Sequence, residues 1–104
     1  MLKINFEFRK GIFFLRLIGD LDKTSYLDKE REINELIIKN KFKYIVINTN
    51  YLNKIDFDGL NYMTKIYFIT RKSESNLVIC DKYNIFSRLL NNNIPSIKNE
   101  LEVL

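Results

Sequence analysis

The stretch of sequence that decides the fold reads IDFDGL (residues 55–60) and joins an apolar strand to an amphipathic helix. The first backbone N–H groups of a helix have no partner within the helix, and an aspartate just before the first turn accepts a hydrogen bond from one of them. We therefore predict that Asp56 or Asp58 caps a helix here. If Asp56 is the cap, Asp58 lies in the first turn, exposed and favoured by the helix dipole. A fixed negative charge then lies where a phosphoryl group could also be held, which suits a regulatory surface.

The sequence on either side of this segment predicts an α/β domain. Short runs of alternating or continuous apolar residues predict strands, and apolar residues at helical spacing predict helices. The predicted order is β-β-α-β-α-β-α, with strands at 4–8, 12–18, 44–47 and 77–80 and helices at about 25–39, 58–72 and 83–90. The tail, residues 96–104, is compatible with a strand, a helical turn or both. We expect one domain over residues 1–104, with a mixed sheet of about four to five strands packed against helices.

The helix predicted over residues 58–72 leaves one aromatic residue away from its apolar face. At 100° per residue, the apolar face contains Leu60, Met63, Ile66, Tyr67 and Thr70. Phe68 lies on the far side, whereas Tyr62 and Ile69 lie at the edge. Two interpretations stay open: a partly covered surface aromatic, or a homo-oligomer contact through Phe68, Tyr62 and Ile69.

The composition argues against several classes of function. The chain contains no histidine, which removes the commonest general base and the commonest zinc ligand. Its three glycines form no phosphate-binding loop. The single cysteine, Cys80, follows the apolar residues 77–79 and is predicted to be a buried structural residue. We expect neither an enzyme nor a cofactor.

Charge and hydropathy bear on partners and location. The net charge of +4 is spread among 17 basic and 13 acidic residues, so we interpret it as a solvated surface and expect no nucleic acid partner. No apolar run approaches the roughly 20 residues that span a bilayer, so we expect no membrane insertion and a cytoplasmic location.

Paired aspartates raise the question of acid–base chemistry or a metal site. Asp56 and Asp58 lie two residues apart, and Asp20 and Asp22 are predicted to lie at the same edge of the sheet. A hydrolytic pair needs a pocket with further polar groups, and Ca²⁺ or Mg²⁺ needs more oxygen ligands than this turn supplies. We therefore expect no catalytic residues and no metal.

Two stretches resemble the STAS domain of bacterial anti-sigma factor antagonists. GDLD (residues 19–22) resembles the family's G-[DE]-L-D turn, and NTNYLNKIDFDGL (residues 48–60) resembles its signature D-L-S-x-V-x-x-I-D-S-S-G-L. The predicted order of strands and helices agrees with that family along nearly all of the chain. The resemblance implies a non-catalytic module that binds an anti-sigma factor of the serine kinase type.

The resemblance also implies which residues meet the partner. In this family the second serine of D-S-S-G-L is phosphorylated by the anti-sigma factor, and the phosphorylated antagonist lets go of it. Asp58 aligns with that serine and Phe57 with its neighbour, while Asp56 and Gly59 match the motif. Position 58 therefore cannot accept phosphate by the family's hydroxyl chemistry. The expected partner surface contains Asp56, Phe57, Asp58, Gly59, Asp22 and Thr24.

Three hypotheses follow from the aspartate. Asp58 locks the protein in a phospho-like form that a conventional anti-sigma kinase rejects, or the partner matches Asp58 and Phe57 and binds without a kinase switch. In the second case Phe57 is an interface anchor, unless it tucks into the core. Alternatively, the domain belongs to another STAS lineage, such as a subunit of a lipid-transport ABC complex or a stressosome-like sensor. Modification of another hydroxyl at Thr24, Ser25 or Thr49 also stays open.

Overall fold

The computed structural model describes residues 1–89 and 94–104, without the side chain of residue 89. Five strands form one sheet in the order β1-β2-β3-β4-β5, in which β1 pairs antiparallel with β2 and the later pairs are parallel. This confirms the predicted α/β class and the mixed sheet. The elements are β1 (Leu2–Arg9), β2 (Ile12–Leu21), α1 (Lys23–Asn40), β3 (Tyr44–Ile55), α2 (Phe57–Lys72), β4 (Asn76–Cys80), α3 (Ile85–Leu89), β5 (Ser96–Ile97) and a 3₁₀ turn (Glu100–Val103).

The first two strands, β1 and β2, form a hairpin. Its two-residue turn is Lys10-Gly11, and both residues have positive φ angles, 52° and 79°. Such a turn matches the right-handed twist of the flanking strands and fixes their register, in which Arg9 lies opposite Ile12. The turn therefore sets which side chains of β1 face the helices.

The main core lies between the sheet and the helices α1 and α2. Each helix contributes a stripe at helical spacing, as its sequence predicts. The rings of Tyr26 in α1 and Tyr62 in α2 stack with centroids 3.9 Å apart, which joins the two helices. The buried residues of these helices are Ser25, Tyr26, Ile33 and Ile37 of α1 and Gly59, Met63, Ile66 and Thr70 of α2.

Two strands run longer than the sequence predicts. The strand predicted over residues 44–47 continues to Ile55, and the strand predicted over residues 12–18 continues to Leu21. The prediction stopped where polar residues begin, but these side chains find distant partners. Buried Thr49, for example, donates a hydrogen bond to the carbonyl of Cys80 at 2.8 Å. A strand whose polar groups are satisfied across the sheet can continue without an apolar run.

The third helix is shorter than predicted. It begins at Ile85 rather than Tyr83, because the Asp81 carboxylate accepts hydrogen bonds from the backbone N–H groups of residues 85, 86 and 87. Asp81 thus caps this helix, and Phe86 is buried. The predicted end of this helix at residue 90 lies outside the described residues.

The tail contains both of the elements that the sequence left open. β5 extends the sheet, and the 3₁₀ turn lies on the sheet face opposite α1 and α2. There Glu100 accepts hydrogen bonds from Arg16 at 2.7 and 2.9 Å and from Asn48 at 2.7 Å. Beside this network Cys80 is fully buried, which confirms its structural role, and burial raises the pKa of its thiol to about 11.

Candidate functional site

The starts of α1 and α2 lie side by side at one edge of the sheet. β2 and β3 are parallel neighbours, and their last residues, Leu21 and Ile55, lie opposite each other. The next residues are Asp22 and Asp56, the N-caps of the two helices. The sheet register therefore brings together two loops that are 34 residues apart, counted from residue 22 to residue 56.

Asp56 is the cap of α2, which decides between the two candidate aspartates. Its backbone is extended, and Oδ1 accepts a hydrogen bond from the Gly59 N–H at 2.8 Å. Its own N–H donates to the Leu21 carbonyl across the sheet at 3.4 Å. The start of α2 is thus tied both to its own first turn and to β2.

Gly59 is required by close packing. A Cβ built at this position would lie 2.1 Å from the Leu21 carbonyl oxygen, far inside van der Waals contact. The first turn of α2 therefore sits directly on the end of β2. This contact gives Gly59 a structural role, whatever role it has towards a partner.

Phe57 and Asp58 point away from this contact into solvent. Phe57 is 76% exposed, which excludes the interpretation that its ring tucks into the core. Asp58 is exposed in the first turn of α2, and within residues 1–89 and 94–104 it takes part in no ion pair. An aromatic ring and a carboxylate therefore stand next to each other on a helix start whose backbone is fixed.

Asp22 caps α1 in the same way and has a cationic neighbour. Its Oδ1 accepts a hydrogen bond from the Ser25 N–H at 2.9 Å, and its Oδ2 lies 3.9 Å from Nζ of Lys54. The hydrogen bond from Ser25, together with the charge of Lys54, lowers the pKa of Asp22 below its ordinary value. Thr24 is exposed one residue before the buried Ser25.

Lys54 is a residue of this edge that sequence reasoning missed. It lies on β3 two residues before the α2 cap, and its side chain reaches the α1 cap. No local pattern points to Lys54, because it approaches Asp22 only through the pairing of β2 with β3. Asp20 lies opposite Lys54 at this edge, and its carboxylate pairs with the N-terminal ammonium group of Met1 at 3.0 Å.

Three of the aspartates at this edge have structural roles: Asp22 and Asp56 cap helices, and Asp20 and Asp22 take part in ion pairs. In the part of the chain that the structure describes, no three residues of the His, Cys, Asp and Glu types group as metal ligands.

Of the hydroxyls considered for modification, Thr24 is exposed, whereas Ser25 and Thr49 are buried. Across those same described ranges, no helix is long and apolar enough to cross a membrane.

The three residues considered for self-association lie on different parts of α2. Phe68 is 53% exposed, whereas Tyr62 stacks on Tyr26 and Ile69 packs against the main core. Phe68 is therefore the member of this set that is free to meet another molecule.

Comparison with known proteins places this geometry in a known group. The chain is 25% identical over 108 aligned residues to the anti-sigma F factor antagonist of Paenibacillus polymyxa, covering 99% of this chain and 92% of that protein. The chain is therefore similar in sequence to an anti-sigma factor antagonist along nearly its whole length. No family model matches it.

Solved structures of anti-sigma factor antagonists share the fold of this domain. The anti-sigma factor antagonist SpoIIAA in its unphosphorylated form superposes with a TM-score of 0.76 at 13% identity, covering 99% of this chain and 93% of that one. An anti-sigma factor antagonist from Mycobacterium paratuberculosis gives a TM-score of 0.78 at 15% identity, with coverages of 98% and 90%. The domain therefore has the fold of anti-sigma factor antagonists along nearly its whole length.

Proposed function

We propose that this chain is a STAS domain that acts as a non-catalytic, cytoplasmic anti-sigma factor antagonist and binds a serine-kinase-type anti-sigma factor without a phosphorylation switch at residue 58. The partner surface comprises Asp56, Phe57, Asp58 and Gly59, with Asp22 and Thr24 beside them. The observation that carries the proposal is the exposure of Phe57 next to Asp58 on the fixed start of α2. The relatives named above support the choice of partner.

The shape of the surface supports a role in protein binding. Large aromatic side chains dominate the energy of many interfaces when a partner buries them. Here the cap bond from Gly59 to Asp56 holds the backbone beside Phe57, so little conformational entropy remains to be lost on binding. An exposed ring on an ordered turn is a better anchor than the same ring on a flexible loop.

The charge at residue 58 supports binding without a switch. A carboxylate carries about one negative charge, whereas phosphoserine carries about 1.5 to 2 and offers more acceptor oxygens. Asp58 lacks a hydroxyl, so the kinase cannot add a phosphoryl group there by the chemistry used on serine. We infer that the partner accepts this permanent charge and binds constitutively.

The test combines a binding measurement with a phosphate-transfer assay. The protein is mixed with a serine-kinase-type anti-sigma factor from the same cell, and affinity is measured by calorimetry. We expect Phe57→Ala to weaken binding about tenfold or more, as for an interface anchor. The matched control is Phe68→Ala, a second exposed phenylalanine about three turns farther along α2, which should leave affinity unchanged.

The phosphate-transfer arm addresses residue 58 directly. With labelled ATP, the wild type should take up no phosphate, whereas Asp58→Ser should be labelled at residue 58 and then release the kinase. Labelling of the wild type within residues 56–59 would contradict the proposal. Binding by Asp58→Ser alone would show instead that the aspartate locks the released form. A failure of both proteins to bind would favour the other STAS assemblies, such as a lipid-transport ABC complex.

A further inference from the structure

The outer edge of β1 has no partner among the residues that the structure describes. β1 is the first strand in the sheet order, so only its inner edge pairs, with β2. It runs for eight residues without proline or bulge. Proteins usually shorten, bend or cover such an edge, because its free N–H and C=O groups can pair with another strand.

The hairpin register shows which backbone groups face outward. The Asp20 N–H donates to the Met1 carbonyl, and the pair Arg9 and Ile12 closes the two-residue turn. Inward hydrogen bonds alternate along an antiparallel strand, so the odd-numbered residues of β1 bond to β2. The N–H and C=O groups of the even-numbered residues, Leu2, Ile4, Phe6 and Phe8, therefore point outward.

Two aromatic side chains on this edge are half covered. Phe6 is 50% exposed and Phe8 is 61% exposed. Each ring touches an aromatic residue of its own molecule, Phe6 to Phe13 with centroids 5.9 Å apart and Phe8 to Phe42 with centroids 5.3 Å apart. Their other sides are open along the free edge, which leaves apolar area for a neighbouring strand to bury.

We propose that the outer edge of β1 is a homodimer interface, in which the β1 strands of two copies pair antiparallel about an axis through Asn5. In this register Ile4 lies opposite the partner's Phe6 and Leu2 opposite the partner's Phe8, and both pairs use the outward-facing backbone groups. Lys3 lies opposite the partner's Glu7, and the two-fold axis repeats that ion pair. The two sheets become one sheet of ten strands.

Charge selects this register over its neighbour. Shifting the partner by two residues towards its turn would place Lys3 opposite the partner's Arg9, and like charges directly opposite each other destabilise a sheet. Glu7 has a carboxylate oxygen available: Oε1 accepts from Arg16 at 2.6 Å, and Oε2 has no hydrogen-bond partner within the described ranges. The strand is therefore complementary to itself in charge as well as in apolar pairing.

The dimer leaves the proposed partner surface free. β1 begins next to Gly19, near the caps of α1 and α2, and its last residue lies at the other end of the strands, where Arg9 is opposite Ile12. Antiparallel pairing therefore places the two Asp56–Gly59 surfaces at opposite ends of the ten-stranded sheet. The inference does not depend on the proposed function, because its tests use no partner protein.

Cross-linking tests the register. Under mild oxidation, Asn5→Cys should form a disulfide-linked dimer in high yield, because residues opposite each other without hydrogen bonds have Cα atoms about 4.5 Å apart. Phe6→Cys is the matched control and should link poorly, because the two Phe6 positions are offset by two residues. Efficient linking of Phe6→Cys, or linking of Asn5→Cys no better than of an exposed helix variant such as Glu35→Cys, would overturn the proposal.

Sedimentation tests the interface without a cross-link. The wild type should show a concentration-dependent dimer that Phe6→Pro abolishes, because proline removes an outward N–H while the inward bonds of β1 remain. Lys3→Glu should raise the dimer dissociation constant about tenfold, since it creates two like-charged pairs. Circular dichroism checks that both variants fold. A wild type that stays monomeric up to millimolar concentration, or a dimer dissociated by Phe68→Ser and not by Phe6→Pro, would contradict the proposal.

Discussion

The starts of α1 and α2 are built alike and differ in what they display. Asp22 and Asp56 each follow a paired strand residue and accept a hydrogen bond from the N–H three residues later. After Asp22 come Lys23 and Thr24, whereas after Asp56 come Phe57 and Asp58. Capping fixes the backbone at both places, and the two residues after each cap are left free to vary. The α2 start uses that freedom for an aromatic ring and a negative charge.

The two starts also differ in how closely they approach the sheet. Gly59 lies on the Leu21 carbonyl with no room for a side chain, while the equivalent position of α1 holds Ser25. The start of α2, which carries the surface proposed for partner binding, therefore packs more closely against the sheet than the start of α1 does. Substitutions at and near the caps can separate the packing of each helix start against the sheet from the side chains that it exposes to solvent.

The largest effect is expected for Gly59→Ala. The added Cβ would meet the Leu21 carbonyl oxygen at 2.1 Å, so α2 must shift, and overpacking of this kind costs roughly 1–3 kcal/mol in the free energy of unfolding. Alanine would otherwise favour a helix. Urea unfolding measures the loss, with Asn61→Ala, exposed in the same helix, as the control. A Gly59→Ala protein as stable as wild type would show that the contact is not tight.

A smaller loss is expected when the α2 cap is removed. Asp56→Ala leaves the Gly59 N–H without its acceptor, which lowers the free energy of unfolding by about 1 kcal/mol. Asp56→Asn keeps a capping oxygen and should lower the free energy of unfolding by only about a few tenths of a kcal/mol. The same unfolding experiment compares the two variants. Equal losses would mean that charge, and not the cap bond, is what stabilises the turn.

Asp58→Asn should cost still less. Asp58 makes no cap bond, so its contribution to folding is the interaction of its charge with the helix dipole, roughly 0.3–1 kcal/mol at low salt. High salt should reduce the difference between wild type and variant. A loss of stability larger than that of Asp56→Ala, or one that salt leaves unchanged, would reveal a structural role for Asp58. It would weaken the assignment of Asp58 to the partner surface.

The smallest effect is expected at Asp22, where it shows as a dependence of stability on pH in acid. The pKa of Asp22 is lowered in the folded state, so the unfolded chain takes up its proton first as the pH falls. Stability from this group is full above its ordinary pKa of 3.8 and is lost as the pH drops below about 4 towards the folded value. Asp22→Asn should flatten that part of the stability curve, measured by urea midpoints across acidic pH. Glu32→Gln, exposed on α1, controls for removing a carboxylate, and an unchanged curve for Asp22→Asn would contradict the assignment.

Much of the fold could be predicted because local rules govern it. The caps at Asp56 and Asp81 and the Lys10-Gly11 turn depend on neighbours within a few residues. The ends of β2 and β3 could not be predicted from the sequence. Polar residues such as Thr49 are compatible with a strand only when a distant carbonyl accepts their hydrogen bond. Helix and strand limits decided by distant partners leave no local trace.

The candidate site divides along the same line. The sequence by itself determined that either Asp56 or Asp58 caps a helix. If Asp56 is the cap, the first helical turn contains the acidic residue Asp58. Both statements follow from the sequence because capping depends on adjacent residues. The tertiary structure alone decided that Asp22 lies next to Asp56, that Lys54 reaches Asp22 and that Phe57 stands in solvent. Those facts follow from the pairing of β2 with β3 and the seating of Gly59 on Leu21, contacts between residues far apart in the chain.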